Sequence, residues 1–284
     1  MYKLFIGGKF VRTESERYFS AINPKTKEKL CNVSRASRKD IRNAVTAARS
    51  GHNLWNSKTA YERGQILYRL AEMLEGRKEQ FSEEIIQSAT VSRPQASKEV
   101  MKAVDRIIWY AGFTDKWSQL VGTVNPVQNG YFNFSIPEAT GVVGILLPNE
   151  LPLLSIVSRI CPVIASGNSC VIIASETSPL PALSFSEVIA TSDFPAGVIN
   201  ILTGIKKELI GHLAGHMDVN AFDYADSNPS FKKEVQRACA NNVKRFVFSA
   251  HKNGADYFND DKNENLNQIQ NFVEIKTIWH TMGM

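Results

Sequence analysis

The spacing of apolar residues changes several times along the chain, and each change predicts a different kind of element. Residues 2–34 contain short apolar runs separated by polar turns, which predicts short strands. Gly7-Gly8 stands between Leu4-Phe5-Ile6 and Phe10-Val11 and predicts a hairpin. Asn23-Pro24 marks another turn.

A helical period follows from residue 37 to residue 54, where Ile41, Ala44, Val45 and Ala48 form one apolar stripe. Ser37 is the candidate N-cap, with Asp40 as its acidic partner. We expect a second helix from about Thr59, with a break near Gly76, and a third helix opened by Pro94. Three tryptophans are interpreted as core or helix-packing residues: Trp55, Trp109 and Trp117.

The pattern becomes strand-like again between Val121 and Ile136. Asn129-Gly130 is a strong two-residue hairpin signal, and alternating residues follow it through Ile136. We therefore predict a small hairpin between the helices and the second half of the chain.

From Gly141 onward, strand and helix patterns alternate. The predicted strands are 141–147, 169–174, 198–203, 219–225 and 243–249, and the predicted helices are 152–165, 180–191, 206–215 and 229–241. The last helix has Ser227 or Asn228 as its cap and Pro229 in its first turn. Such alternation predicts an α/β fold with a Rossmann-like, mostly parallel sheet, preceded here by N-terminal helices.

The regular pattern ends after Ala250. Residues 251–271 are rich in Asn, Asp, Gln and Lys, which predicts a polar linker with little to bury. Residues 272–279 alternate again and predict a strand that needs a partner edge, which the 121–136 hairpin can supply in the same or a neighbouring subunit. The predicted organisation is a dinucleotide-binding-type domain at 1–120 and 137–250, an oligomerisation sheet at 121–136 and 272–284, and the linker.

Composition narrows the function classes. The 284 residues are 43% hydrophobic and 21% charged, as in ordinary globular proteins. The net charge of +5 comes from dispersed lysines and arginines, so we do not expect nucleic-acid binding. The N-terminal apolar run is too short for a signal peptide, and charges and prolines interrupt the longest apolar stretch, so we expect no membrane segment.

The four cysteines are widely spaced and include no CxxC pair, which favours a reduced, cytoplasmic setting without metal or disulfides. They are Cys31, Cys161, Cys170 and Cys239. No elbow motif or cationic neighbour marks any of them, so we interpret them as small buried hydrophobes. His212 and His216 lie four apart without a third ligand nearby and are interpreted as surface histidines.

Several motifs in their order along the chain resemble the aldehyde dehydrogenase superfamily. They include Leu4–Phe10, Glu62-Arg63-Gly64, Gly141–Gly144 with Pro148, and Phe194–Asn200, and residues 272–279 resemble the family's terminal oligomerisation strand. In the family, a catalytic domain with the nucleophilic cysteine and a Glu-Leu-Gly-Gly base motif precedes that strand. Here only residues 249–271 stand in its place.

The resemblance also implies changes at the active-site turn. Pro148 aligns with the family's Pro-Trp-Asn, which places Glu150 where the family has its oxyanion donor. A carboxylate accepts hydrogen bonds but does not donate them, and losing one such donor costs about 10²–10³ in rate. A shifted alignment keeps Asn149 as the donor but loses the proline register. A plain alternative for Glu150 is a solvated carboxylate or one paired with Arg159.

The family's cofactor motifs are altered as well. Its Lys-Pro-Ser-Glu corresponds here to Ile173-Ala174-Ser175-Glu176, and its Phe-Thr-Gly-Ser to Tyr224-Ala225-Asp226-Ser227. The lysine is lost, and Asp226 adds a negative charge beside the expected pyrophosphate. Helix capping is an equal alternative for Ser175, Glu176 and Ser227. We therefore expect NAD or NADP to bind weakly or not at all. The candidate contacts are Leu147, Pro148, Asn149, Ser175, Glu176 and Ser227.

Three functions remain open from the sequence. The first is a non-catalytic scaffold or partner subunit, homo-oligomeric or joined to a full-length aldehyde dehydrogenase. Pro148-Asn149-Glu150 is similar to the Pro-Asp-Glu of second modules in two-module family members. The second is an NAD(P)-dependent aldehyde oxidoreductase, and the third is a weak nucleotide-binding regulator.

Overall fold

A computed structural model describes residues 1–128, 130–251 and 253–282. Asn129, the first residue of the predicted Asn-Gly turn, lies outside the described residues, as do the last two residues of the predicted oligomerisation segment. The strands are β1 Leu4–Ile6, β2 Lys9–Val11, β3 Tyr18–Ile22, β4 Lys29–Ser34, β5 Thr123–Asn125, β6 Tyr131–Ala139, β7 Val142–Leu146, β8 Ser169–Ile173, β9 Ile199–Leu202, β10 Ala221–Tyr224, β11 Arg245–Phe248 and β12 Val273–Thr281.

The α-helices carry labels in chain order, and a 3₁₀ helix at Gly254–Phe258 lies between the ninth and tenth. They are α1 Arg38–Asn56, α2 Ala60–Glu75, α3 Lys78–Ser88, α4 Arg93–Ala111, α5 Trp117–Val121, α6 Leu154–Ala165, α7 Leu180–Ala190, α8 Lys206–Ala214, α9 Pro229–Asn241, α10 Asp260–Asn263 and α11 Leu266–Gln270. No helix of the described residues is both long and apolar enough to cross a bilayer.

The central sheet has seven strands in the order β11-β10-β7-β8-β9-β1-β2. The five strands from β11 to β9 run parallel, which confirms the Rossmann-like fold predicted from the alternating pattern. The N-terminal hairpin of β1 and β2 adds two antiparallel strands to one edge, because Phe5 pairs with Ile201. The hairpin was predicted, but its place in this sheet was not.

Helices cover both faces of the sheet, as a parallel sheet requires. The caps follow the sequence: Ser37 and Asp40 form a capping box at α1, and Thr59 and Glu62 form one at α2. Trp55 is fully buried, and its indole N–H donates to the Ile164 carbonyl at 2.8 Å. The helix that was expected to begin at about Thr59 ends at Glu75, and α3 is separate.

A second sheet of three strands has the order β12-β6-β5. β12 pairs antiparallel with β6 from Val273↔Ala139 to Thr281↔Tyr131, which supplies the partner edge that the terminal strand needed. The pairing lies within one chain. The other edge of β12 has no partner strand among the described residues.

The prediction that 251–271 is a linker with little to bury is wrong. The segment forms the 3₁₀ helix, α10 and α11, and it buries Tyr257, Asn263 and Ile269. The asparagines that suggested disorder are N-caps instead. Each caps one helical turn through its side-chain oxygen, and they are Asn253, Asn259 and Asn265.

The segment is fastened to α4 and α6 by polar contacts. The Tyr110 hydroxyl donates to the Asn263 carbonyl at 2.6 Å, and Arg159 donates to the Gln268 side chain at 3.1 Å. Arg106, which is fully buried, lies 3.4 Å from Glu264. Composition alone therefore underestimated how much regular structure this segment forms. Only a few of its side chains pack in the core, and the others cap helical turns or form polar pairs.

A buried carboxylate holds the start of α6. Glu99 of α4 accepts hydrogen bonds from the amides of Leu153 and Leu154 at 2.9 and 3.1 Å. No ion pair of Glu99 is present among the described residues, and burial raises the pKa of its carboxyl to about 7. Glu99 thereby fixes the polypeptide just after the turn that follows β7.

We predict that this carboxyl makes stability depend on pH. Between its unfolded pKa near 4.5 and its folded pKa near 7, the folded chain binds more protons, so the free energy of unfolding falls as pH rises. The loss reaches about 3 kcal/mol. In Glu99→Gln the amide oxygen still accepts both hydrogen bonds without titrating. Chemical unfolding should show that the unfolding free energy of the variant, relative to that of the wild type, is higher at pH 8 than at pH 5.

The matched control is Glu75→Gln, which changes an exposed carboxylate at the end of α2. Its unfolding free energy should follow that of the wild type at both pH values. If Glu99→Gln also follows the wild type across this range, Glu99 is already ionised in the folded protein and the prediction is wrong.

Candidate functional site

The strand order reverses between β7 and β10, which lie side by side. From β7 the chain proceeds through β8 to β9 on one side and then returns to β10 on the other. In open α/β sheets such a switch point opens a crevice at the carboxyl ends of the strands, where ligands bind. Here the crevice lies between the turn that begins at Leu147 and the turn at Ala225–Ser227.

A lysine side chain bridges the two turns. The ammonium of Lys206, the first residue of α8, donates to the Leu147 carbonyl at 2.7 Å and to the Asp226 carboxylate at 2.6 Å. Lys206 is only 2% exposed, and burial lowers its pKa while Asp226 and Glu176 oppose that shift. The negative charge that Asp226 brings to the crevice is therefore neutralised by the chain itself.

The residues after β8 are also engaged with neighbouring turns. Glu176 accepts a hydrogen bond from the Lys206 amide at 2.9 Å, and its own amide donates to the Asn149 side chain at 3.0 Å. The Ser175 hydroxyl faces the Asn149 side-chain oxygen at 3.3 Å and accepts from the Ser178 amide at 3.0 Å. The capping alternative therefore holds for Glu176, whose carboxylate accepts the first amide of α8. It does not hold for Ser175, whose hydroxyl bonds within a turn while the start of α7 has no side-chain cap.

The N-terminus of α9 is capped from within the chain. The Asn228 side chain accepts from the amides of Ser230 and Phe231 at 2.9 and 3.3 Å. The second oxygen of Asp226 accepts from the Asn228 amide at 2.8 Å. A helix N-terminus binds phosphate through free amides and a favourable dipole. These amides already have partners, and one of the partners is a carboxylate.

These contacts test whether a dinucleotide fits the crevice. A pyrophosphate at the end of β10 would meet the Asp226 carboxylate and compete with Asn228 for the same amides. The ribose-binding role that the resemblance gives to Glu176 competes with its bond to the Lys206 amide. The residues therefore do not fit NAD or NADP without breaking contacts that the chain makes itself.

Three of the predicted site residues line a small cavity of about 60 Å³ beside this network. They are Pro148, Glu150 and Ser227, and the opposite wall comes from the segment after β11, with His251 and Tyr257. The cavity is too small for a nucleotide, since ligand pockets usually measure about 300–1,000 Å³. Leu147, Asn149, Ser175 and Glu176 belong instead to the network around Lys206.

Glu150 is exposed and is not the partner of Arg159. Arg159 is buried in α6 and lies 3.8 Å from the buried carboxylate of Asp223. Burial raises the pKa of Asp223, against the influence of Arg159 and a hydrogen bond from the Ser249 hydroxyl. Pairing between Glu150 and Arg159 is therefore wrong. Glu150 as an oxyanion-position residue stays a prediction.

The four cysteines all have thiols whose pKa is raised above the ordinary value. All four are free, and Cys161, Cys170 and Cys239 are buried. Burial raises the pKa of each thiol, to about 11 for Cys239 and further for Cys161 and Cys170. Burial also raises the pKa of the half-buried Cys31 thiol. A raised pKa keeps a thiol protonated and unreactive. Among the described residues, no cluster of His, Cys, Asp and Glu is suited to a metal ion.

Lys206 is the residue that the sequence reasoning missed. It lies in a run of two lysines that looks like an exposed helix start, and nothing in the local pattern marks one of them as buried. One signal was present: Asp226 at a strand end needs a nearby cation if it is buried.

We predict strong coupling between Lys206 and Asp226. Replacing one partner, in Lys206→Met or Asp226→Leu, leaves a buried charge alone and should cost about 3–5 kcal/mol of unfolding free energy. The double variant should cost less than the sum, with a coupling energy above about 1 kcal/mol in urea unfolding. The exposed pair Arg69 and Glu72 serves as the control and should couple by less than about 1 kcal/mol. Additive losses at Lys206 and Asp226 would contradict the bridge.

Comparison with known proteins places these features in a family. The sequence pattern of the Aldehyde dehydrogenase family matches residues 10–255. "Aldehyde dehydrogenase, cytosolic 1" from Elephantulus edwardii is 30% identical over 249 residues, covering 86% of this chain and 49% of the relative. "Cytosolic 10-formyltetrahydrofolate dehydrogenase" from Mus musculus is 32% identical over 249 residues, covering 86% of this chain and 28% of the relative.

A solved structure agrees. The NAD⁺ complex of aldehyde dehydrogenase from Bacillus cereus superposes with a TM-score of 0.83 at 28% identity, over 86% of this chain and 50% of that one. The chain spans about half the length of such relatives, or less. With the mostly parallel sheet, the switch-point crevice and the match over residues 10–255, this chain belongs to the aldehyde dehydrogenase family.

Proposed function

We propose that this chain is a non-catalytic member of the family that acts as a scaffold or partner subunit. The observation that carries the proposal is the sheet of β5, β6 and β12. It presents large apolar side chains and an edge of β12 that pairs with no other strand of the described residues. Trp279 and Ile275 of β12 are 62% and 55% exposed. Exposed strand edges with apolar side chains are sites of association between chains.

Both faces of this sheet support an interface. Trp279 and Tyr131 lie on one face with ring centroids 6.0 Å apart. The opposite face carries Phe132, Ile136 and Val124, all exposed. A thin sheet cannot bury both of its faces alone, so a second chain would bury the apolar surface that this one leaves uncovered. The oligomerisation role proposed for residues 121–136 and 272–284 rests on this.

The proposal that the chain is non-catalytic rests on the segment between β11 and β12. Only the short helical segment connects them, and it packs against α4 and α6 rather than forming a separate body. Acyl chemistry needs an activated nucleophile, and the cysteine thiols have raised rather than lowered pKa values. The active-site turn carries an exposed carboxylate instead. The partner we propose is a full-length aldehyde dehydrogenase or a second copy of this chain, in the cytoplasm.

We predict that association depends on the exposed strand. The wild-type chain should elute as an oligomer, or co-purify with a full-length aldehyde dehydrogenase identified by mass spectrometry. Trp279→Glu places a charge in the interface, and in size-exclusion chromatography with light scattering it should shift the population to monomer and abolish co-purification. Tyr61→Glu, at an exposed aromatic residue of α2, should leave assembly unchanged.

If the wild-type chain is monomeric at tens of micromolar and captures no family member, the scaffold proposal fails. If Tyr61→Glu and Trp279→Glu disrupt assembly equally, the interface is not this sheet.

The rival function is NAD(P)-dependent aldehyde oxidation, which family membership and similarity to an NAD⁺-complexed structure favour. The crevice contacts favour weak binding, so calorimetric titration should give a dissociation constant for NAD and NADP above about 1 mM, weaker than −4.1 kcal/mol. When aldehydes and NAD are added, the chain should form no NADH in a reaction that thiol reagents inhibit. Micromolar binding without turnover would support the nucleotide-binding regulator, and turnover would support the enzyme.

A further inference from the structure

Outside the crevice, a cavity of about 250 Å³ lies between α1 and α8. α1 contributes Arg38 and Arg42 to its lining, and α8 with its C-terminal turn contributes His212 and His216. Arg38 and Arg42 lie four residues apart and share one face of α1, which they present towards α8. His212 lies on α8, and His216 follows the end of that helix. Buried Ile41 supplies an apolar floor, and Gly211 and Gly215 keep the α8 wall low.

The two arginines differ from three other basic residues in and just before α1. Arg35 pairs with Glu208, Lys39 with Glu14, and Arg49 with Asp218. Neither Arg38 nor Arg42 has an ion pair or a side-chain hydrogen bond with any residue in the part of the chain that the structure describes. Two guanidiniums thus face a cavity while their neighbours are neutralised.

The nearby acids cannot serve them. Glu208 and Asp218 are held by Arg35 and Arg49. Glu234 of α9 is exposed and approaches Gly211, where an added Cβ would meet its carboxylate oxygen at 2.5 Å, but it does not line the cavity. His216 is fixed in place, because its Nδ1 accepts the Asp218 amide at 3.2 Å.

We propose that this cavity binds a small anion of the phosphate class, as free phosphate or as the phosphate or diphosphate group of a small molecule. Arginine forks match the oxygens of phosphate bidentately, and a pair of forks on one helix face can hold two oxygen edges. The imidazole of His212 on the opposite wall supplies a further donor. The volume lies below that of usual drug-sized pockets, which favours a small phosphorylated ligand over a whole dinucleotide.

The test is isothermal titration calorimetry of the full chain with inorganic pyrophosphate and inorganic phosphate, at ionic strength held constant with chloride. Saturable binding of one equivalent is expected. The double variant Arg38→Gln with Arg42→Gln should weaken it at least about tenfold, since each charge-assisted hydrogen bond contributes substantially. Both side chains are exposed, and an arginine in the first turn of a helix opposes the helix dipole, so the variant should fold. Circular dichroism checks this.

Two further variants sharpen the result. Arg12→Gln removes an exposed arginine outside the cavity and should bind as the wild type does. Glu234→Gln removes the carboxylate that approaches Gly211 of the cavity wall and should tighten binding. The proposal is overturned if pyrophosphate gives no saturable heat, if Arg12→Gln weakens binding as much as the double variant does, or if Glu234→Gln weakens it.

Discussion

Burial of both faces of the parallel sheet is the constraint on which the rest of this structure depends. β7 and β8 are buried along their whole length, with hydrogen-bonded neighbours on both sides. Their backbone groups are satisfied only within the sheet, and their side chains only under covering helices. The packing of α1, α4, α6 and α8 follows from this need, as does the closing of the sheet edge by the N-terminal hairpin.

The same burial governs the crevice at the switch point. Two carboxylates, Asp226 and Asp223, lie at and near the end of β10, where water is excluded. A buried charge is tolerated only with a partner, and each has a cation from a different helix, Lys206 or Arg159. The Lys206 ammonium is thereby engaged by the Asp226 carboxylate and the Leu147 carbonyl.

The surface of the molecule thus has one region whose polar groups pair with one another and two regions whose exposed groups lack such contacts among the described residues. At the crevice, amides, carboxylates and the Lys206 ammonium pair with one another. At the sheet of β5, β6 and β12, and at the cavity between α1 and α8, apolar edges and free guanidiniums have no described partner.

The sequence by itself determined the order and type of most elements outside 251–271. Apolar periodicity placed the five parallel strands, and the capping residue Ser37 marked where α1 begins. It also determined the family resemblance and the changed residues at 148–150, 173 and 226. These are local properties, set by side-chain spacing and by the backbone preferences of a few residues.

Tertiary structure alone decided which distant residues meet. Nothing local shows that Lys206 is buried against Asp226, because that contact forms only when α8 packs over β7 and β8. Likewise, asparagines of 251–271 cap helical turns, because the segment is ordered by the burial of Tyr257, Ile269 and Phe272 in the core. Polar composition predicts solvation on average. Burial of a few side chains against an existing surface overrides it, since their transfer from water offsets the cost of ordering the chain.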